Sequence, residues 1–257
     1  RVLWPEAGVT KEALADYYAS VWSRMEKHVS HRPLALVRCP TGIGHQCFFQ
    51  KHAWDGMSPA ISHVKDPQDK ESLISVTSRE GLIGLVQASA LEIHPWGARE
   101  DDLEHPDLIT MDLDPGEDVA WSALATAARE IRDRLKAMKL KAFCKTTGGK
   151  GLHIVVPLQP ASDWETTKAF CRKLAEDMAA DNPATYVANM AKAKRRGRIY
   201  VDYLRNGRGA TAVGIWSTRA RPSCGISTPV DFDELDDLRS GDHFTLLNID
   251  RRLAHEK

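Results

Sequence analysis

Ile109-Thr110-Met111-Asp112-Leu113-Asp114-Pro115 alternates apolar and polar side chains over the length of a strand. Successive side chains of an extended strand leave opposite faces. Ile109, Met111 and Leu113 therefore go to a core, and Asp112 and Asp114 emerge together on the other face. Two strand rises put their Cα atoms ~6.5–7 Å apart. Like charges so placed repel, and a divalent cation between them relieves the repulsion. Hard carboxylate ligands suit Mg²⁺ or Mn²⁺. The plainer reading is a solvated pair at a strand end, since Pro115-Gly116 is an ordinary turn signal.

After this strand, the helical spacing of Trp121, Leu124, Ala128, Ile131, Leu135 and Met138 predicts a helix over 119–138 with those residues inward. Strands at 142–145 and 152–158 flank the turn Thr147-Gly148-Gly149-Lys150-Gly151. Ser162-x-x-Glu165 reads as a capping box opening a helix to about 180, stopped at Asn182-Pro183. Strands at 199–204 and 212–217 follow, then weaker helices from Asp233 and Phe244. Before it, Thr10 caps a helix to about 28, 34–38 and 46–50 form a hairpin around Pro40-Thr41-Gly42-Ile43-Gly44, Ser78 caps a helix through 88, and 91–94 is a strand. Helices and strands alternate without strict βαβ regularity, which predicts an α+β or mixed α/β fold. The expectation is one domain over 1–257, with an N-terminal lobe of about 1–90 and a second lobe of about 91–257.

The 257 residues carry 35 Lys+Arg against 35 Asp+Glu and are 42% hydrophobic, enough for a core and too apolar for a disordered chain. The apolar stretch 81–93 contains Gln87, Ser89 and Glu92 and falls short of the ~18–20 residues of a membrane span. No signal peptide opens the chain, which starts at Arg1 rather than Met and reads as a piece excised from a longer protein. Cys39, Cys47, Cys144, Cys171 and Cys224 form no C-x-x-C pair. That argues against a thiolate zinc site or a disulfide frame and for a reducing cytosol. Charge is segregated: Lys192, Lys194, Arg195, Arg196, Arg198, Arg205, Arg208, Arg219 and Arg221 are opposed only by Asp202 across 192–221, and the acidic run from Asp231 to Asp242 follows. Such segregation suits one polyanion-facing side.

Asp202 is the lone acid of Ile199-Tyr200-Val201-Asp202-Tyr203-Leu204, either a salt-bridge partner of Arg198 or Arg205 or a third metal carboxylate. Three strand aspartates on one cleft make a two-metal site for phosphoryl or nucleotidyl transfer. Lys145 to His153 is not a Walker A loop, yet its glycine-rich turn, hydroxyl and Lys150 can cradle phosphate. His153 points away from the core face of Leu152 and Ile154. Arg219 and Arg221, two apart on an extended segment, share a face, and arginine forks match phosphate oxygens. His94 reads most simply as a satisfied structural histidine. Adjacent Phe48 and Phe49 face opposite ways, so one is expected in the core and the other free to stack on a base.

Val2-Leu3-Trp4-Pro5, Phe48-Phe49-Gln50-Lys51-His52, Leu91-Glu92-Ile93-His94, Asp112-Leu113-Asp114-Pro115, residues 145–153 and Val201-Asp202-Tyr203-Leu204-Arg205-Asn206 stand in one order and spacing. Together they resemble the polymerase domain of bacterial DNA ligase D, within the archaeo-eukaryotic primase superfamily, over essentially the whole chain. The resemblance implies a primase-like catalytic core with an RRM-like mixed sheet and flanking helices. It further implies template-directed nucleotide addition, preferring ribonucleotides, to primer 3′ ends at gaps and breaks during non-homologous end joining. By the same resemblance Asp112, Asp114 and Asp202 hold two Mn²⁺ or Mg²⁺ ions. His94 meets the nucleotide sugar. Thr147 (where many relatives have Ser), Lys150, His153, Arg205, Arg219 and Arg221 surround the triphosphate, and Phe48 or Phe49 stacks near the base. Lys11, with Arg1, reaches the 5′-phosphate of the DNA. Implied partners are gapped or broken DNA, NTPs or dNTPs, Ku and attached ligase and nuclease domains, in the bacterial cytoplasm at the nucleoid and away from any membrane. The competing readings are a non-catalytic DNA-end-bridging module of the same fold and a metal-dependent nuclease.

Overall fold

The computed structural model describes residues 1–159 and 162–255. A two-stranded ribbon opens the chain, β1 (Val2–Trp4) paired with β2 (Val9–Thr10). The Thr10 hydroxyl accepts from the Ala13 amide at 3.1 Å and starts α1 (Lys11–Val29), whose Leu14, Tyr18, Val21 and Met25 lie on one buried face. β3 (Leu34–Arg38), β4 (Phe48–Gln50), β5 (Ser62–Val64), β6 (Leu73–Ser75), α2 (Arg79–Gln87) and β7 (Ala90–Pro95) complete the first part. β3 is its hub, antiparallel to β4, β6 and β7.

The expected hairpin forms, but its consequences differ from the reading above. Arg38 pairs with Phe48, so the next residues outward, Cys39 and Cys47, face each other with Cα atoms 4.4 Å apart and are joined in a disulfide. Hairpin register brings them together, and sequence spacing carries no sign of it. The bonded pair withdraws the cysteine argument for a reducing compartment. Cys144, Cys171 and Cys224 are free and buried. Reduction should cost about 2 kcal/mol of stability for so short a loop. Denaturant unfolding with and without a thiol reductant checks this, and an unshifted midpoint would contradict it. Neither phenylalanine enters the core, because β4 is a three-residue edge strand: Phe48 is 40% exposed beneath the Arg38 guanidinium and Phe49 is 68% exposed.

The second part runs β8 (Leu108–Pro115), α3 (Trp121–Ala137), β9 (Phe143–Thr146), β10 (Leu152–Pro157), α4 (Trp164–Asp181), β11 (Tyr186–Val187), β12 (Ile199–Asp202), β13 (Pro229–Val230) and α5 (Ile249–His255). Its sheet has the order β11-β12-β8-β10-β9-β13, antiparallel except for β11 beside β12. Within it, β8-α3-β9-β10-α4-β12 places its strands fourth-first-third-second, the split βαβ path of an RRM-like sheet. Ile109, Met111 and Leu113 pack with Leu124, Ile131 and Leu135 of α3 and with Cys171, Leu174 and Met178 of α4. Both helices thus cover one face, and the aspartates stand on the other, where Asp112 and Asp202 are buried polar groups.

Several local expectations are corrected. Asp163, not Ser162, caps α4, its carboxylate accepting from the Thr166 amide at 2.7 Å. Met138 lies past the end of α3 and is 44% exposed. The segment 212–217 forms no strand; it turns at Trp216 (φ 67°) to bury that ring in the first core. The strand at 199–204 stops at Asp202 and gives way to a 3₁₀ turn at Leu204–Asn206. The helix expected from Asp233 is a 3₁₀ turn (Phe232–Asp236), and the one expected from Phe244 starts only at Ile249. β7 belongs to the first sheet, and Trp216, Ile226 and Ile249 join the first core, so the lobes do not part near residue 90. Among the described residues no helix is long and apolar enough to cross a membrane.

Candidate active site

Strand register assembles the site. Asp202 of β12 lies directly across from Asp112 of β8, Asp112 across from His153 of β10, and His153 across from Lys145 of β9. Directly paired residues share a face, so Asp202, Asp112, His153 and Lys145 form one row across four strands. Asp114 stands two residues beyond Asp112 on the same side, opposite Tyr200. The three aspartates that the sequence singled out are therefore neighbours on the face away from the helices.

Cations hold them. Arg205 sits between two carboxylates, 3.2 Å from Asp112 Oδ2 and 3.5 Å from Asp202 Oδ2, and Arg195 donates to Asp114 at 3.0 Å. Asp202 also accepts from the Leu204 amide (2.8 Å) and the Tyr200 hydroxyl (3.2 Å). Burial pushes the Asp112 carboxyl up, but His153 and then Arg205 outweigh it and hold it at about 2. Burial, followed by the negative charge of Asp112, raises the Asp114 carboxyl from its ordinary value. Asp202 is also raised, chiefly by burial. His153 is pushed down to about 4 by burial and by Lys145, and its Nδ1 is buried without a partner. Lys145, whose ammonium donates to the Val213 carbonyl and the Ser227 hydroxyl at 2.8 Å, is lowered to about 7 by burial.

Among the described residues no three His, Cys, Asp or Glu side chains are drawn together into a ready metal shell, because arginines intervene. The donor set nevertheless fits a hard divalent cation: three carboxylates share one polar face, two of them raised in pKa partly by their like-charged neighbour.

A second constellation borders the row. Glu92, buried on β7, accepts from His94 Nε2 (2.7 Å), Arg219 Nε (2.9 Å) and the Ala220 amide (2.9 Å). Strand alternation puts Glu92 and His94 on one face, a signal the sequence reading held but used only for His94. Burial raises the Glu92 carboxyl, yet His94 and Arg219 bring it down to about 2. The ring of Phe49 lies 5.8 Å from that of His94, so of the two phenylalanines Phe49 borders this site.

The glycine-rich turn closes the end of the row. Its Thr147 hydroxyl accepts from the Gly149 and Gly151 amides (3.2 and 3.1 Å), so it shapes the turn from within. Arg219 donates to the Thr147 carbonyl at 2.8 Å, and a Cβ on Gly148 (φ +66°) would come within 2.8 Å of Arg219 Cγ. A cleft of about 180 Å³ results, lined by His94, Asp112, Asp114, Thr147, Lys150, His153, Arg205, Arg219 and Arg221. Arg1 and Lys11 lie apart from it but beside each other. The Lys11 amide bonds the Arg1 carbonyl, the Arg1 guanidinium bonds the Pro40 carbonyl, and the Lys11 ammonium bonds the Gln87 carbonyl. Lys145, Glu92, Arg195 and Tyr200 are site residues that sequence reasoning did not assign.

Comparison with known proteins gives a consistent picture. A family model described as the LigD primase-polymerase domain matches residues 10–257. The multifunctional non-homologous end joining protein LigD of Pseudomonas aeruginosa is 36% identical over 255 residues, covering 98% of this chain and 30% of that protein. The bifunctional non-homologous end joining protein LigD of Bacillus subtilis is 24% identical over 258 residues, covering 100% of this chain and 42% of that protein. The chain thus spans less than half the length of these relatives. The polymerase domain from Mycobacterium tuberculosis ligase D, solved in complex with DNA, matches with a TM-score of 0.91 at 29% identity, covering 99% of this chain and 92% of that one.

Proposed function

We propose, on the premise that this chain belongs to the LigD primase-polymerase domain family, that it is a template-directed nucleotidyltransferase. It would extend primer 3′ ends at gaps and breaks in DNA during non-homologous end joining, with a preference for ribonucleotides. The observation that carries this reading is the placement of Asp202 across from Asp112, with Asp114 on the same face and a cationic wall opposite.

Asp112, Asp114 and Asp202 would hold two divalent ions, Mn²⁺ or Mg²⁺, which when bound supply an acidified primer hydroxyl and a neutralised leaving pyrophosphate. The chain's own groups do the rest by position and charge. Lys150, Arg219 and Arg221 would face the triphosphate from the turn side, with His153 lining the same cleft. Glu92 is ionised and accepts a hydrogen bond from the Nε2–H of a neutral His94, whose pKa burial lowers. The other ring nitrogen, Nδ1, can then accept from a sugar hydroxyl, and a ribose 2′-OH offers one that deoxyribose lacks. Phe49 would stack near the base.

Burial, and then the charges of Arg1 and Arg38, lower the Lys11 pKa, and these three cations would grip the 5′-phosphate of a gap. Ku, attached ligase and nuclease domains, and the bacterial nucleoid are the proposed setting. The test is a gapped duplex with Mn²⁺ and each NTP or dNTP in turn. Templated addition, faster with NTPs and with a 5′-phosphorylated gap, is expected. Shortening of the primer would indicate a nuclease, and binding without reaction an end-bridging module. Lys11→Ala should erase most of the 5′-phosphate advantage while leaving extension of an unphosphorylated gap in place.

A further inference from the structure

A second cavity, about 570 Å³, opens beside the catalytic cleft and is lined by Trp121, Lys150, Arg221, Arg239, Ser240 and Asp242 among others. Lys150 and Arg221 line both cavities, so the two meet at these side chains. A polyphosphate anchored at Asp112 and Asp114 and running past the Thr147 turn would reach that junction. The cations there differ from those nearer the aspartates. Arg205 and Arg219 are committed to Asp112, Asp202 and Glu92. The side chains of Lys150, Arg221 and Arg239 make no hydrogen bond or ion pair among the described residues.

Arg239 is also held at a defined place. A Cβ on Gly241 would come within 2.5 Å of the Gly151 carbonyl oxygen and 2.7 Å of that of Gly149, so only glycine lets this segment press directly on the phosphate turn. The Ser240 hydroxyl, bonded to Asp242 at 2.6 Å, pins the same segment. Glu117, Asp118 and Asp242 line the cavity as well and limit how much further negative charge it takes.

We propose that the nucleotide cradle is open at its terminal-phosphate end, and that this cavity admits one additional phosphate held by Arg239, making nucleoside 5′-tetraphosphates substrates. The inference rests on the nucleotidyl-transfer reading and deepens it. Chemistry at the α-phosphate is unchanged: the primer 3′-oxygen forms the new P–O bond, its proton passes to solvent, and tripolyphosphate leaves in place of pyrophosphate.

The experiment compares adenosine 5′-tetraphosphate with ATP opposite dT in a gapped duplex. KM should be about tenfold lower for the tetraphosphate, the worth of one charge-assisted hydrogen bond. Arg239→Ala should bring the ratio of the two KM values to about one, and Arg239→Lys should keep part of it. A tetraphosphate rejected while ATP is incorporated would overturn the proposal, as would a KM ratio that Arg239→Ala leaves unmoved. If ATP itself is not incorporated, the nucleotidyl-transfer reading fails instead, and calorimetric titration decides the cavity alone. Tighter binding of the tetraphosphate than of ATP, lost in Arg239→Ala, supports it; equal or weaker binding overturns it.

Discussion

Alanine at Asp112 should lower primer extension by about three orders of magnitude or more, the scale expected when a metal-ion site loses a ligand. Asp112 is the central member of the row, paired in register with Asp202 on one side and His153 on the other. Its Oδ2 takes Arg205 at 3.2 Å and its Oδ1 faces His153 Nε2 at 3.4 Å, so both oxygens are engaged. Removing the carboxylate would leave Asp114 and Asp202 alone to hold the proposed cations and would free Arg205 to swing onto Asp202. Asp112→Asn keeps the shape and removes the charge. It should be nearly as inactive, with a melting temperature that shows the sheet intact. Extension within tenfold of the unmodified protein by either variant would refute the role assigned to this residue.

Glu92→Ala should cost about 3–5 kcal/mol of stability, because it strands a mostly buried guanidinium. Arg219 would lose its carboxylate partner, His94 its Nε2 acceptor, and the Ala220 amide its acceptor. Nucleotide KM should rise with it, since His94 and Arg219, the two side chains Glu92 holds, line the cleft. The pH dependence has a definite sign. The folded Glu92 carboxyl lies at about 2 against an ordinary 4.5, so its contribution is complete above 4.5 and is lost as pH falls from there toward 2. The stability gap between the unmodified protein and the variant should therefore narrow in that window. Denaturant unfolding at neutral pH and near pH 3 measures both effects. A loss below 1 kcal/mol at neutral pH would contradict the buried-pair reading.

The aspartate strand was legible because its two faces differ in chemistry: a period of two over Ile109, Met111 and Leu113 leaves one orientation for Asp112 and Asp114. Pairing of Asp202 with Asp112 was not legible from periodicity, since the two lie 90 positions apart in the chain and the register of their strands depends on the intervening helices. Residues 212–217 alternate apolar side chains as a strand would. They instead cross between the lobes, where the Trp216 carbonyl takes the Tyr17 hydroxyl at 2.8 Å and the Val213 carbonyl takes Lys145. Lys145 was quoted only as the start of a turn, and its burial is a tertiary fact without a local signature. Phe48 and Phe49 show the converse error, a sound alternation rule applied to an edge strand with no core on either side.

The claim most in need of a direct measurement is that Asp112, Asp114 and Asp202 together hold divalent ions. Manganese binding can be counted by electron paramagnetic resonance, titrating Mn²⁺ into the protein with a non-hydrolysable nucleotide present. Two ions per chain are expected, falling to one or none in both Asp112→Asn and Asp202→Asn. Stoichiometry unchanged in those variants, or no bound manganese in the unmodified protein with nucleotide, would contradict it.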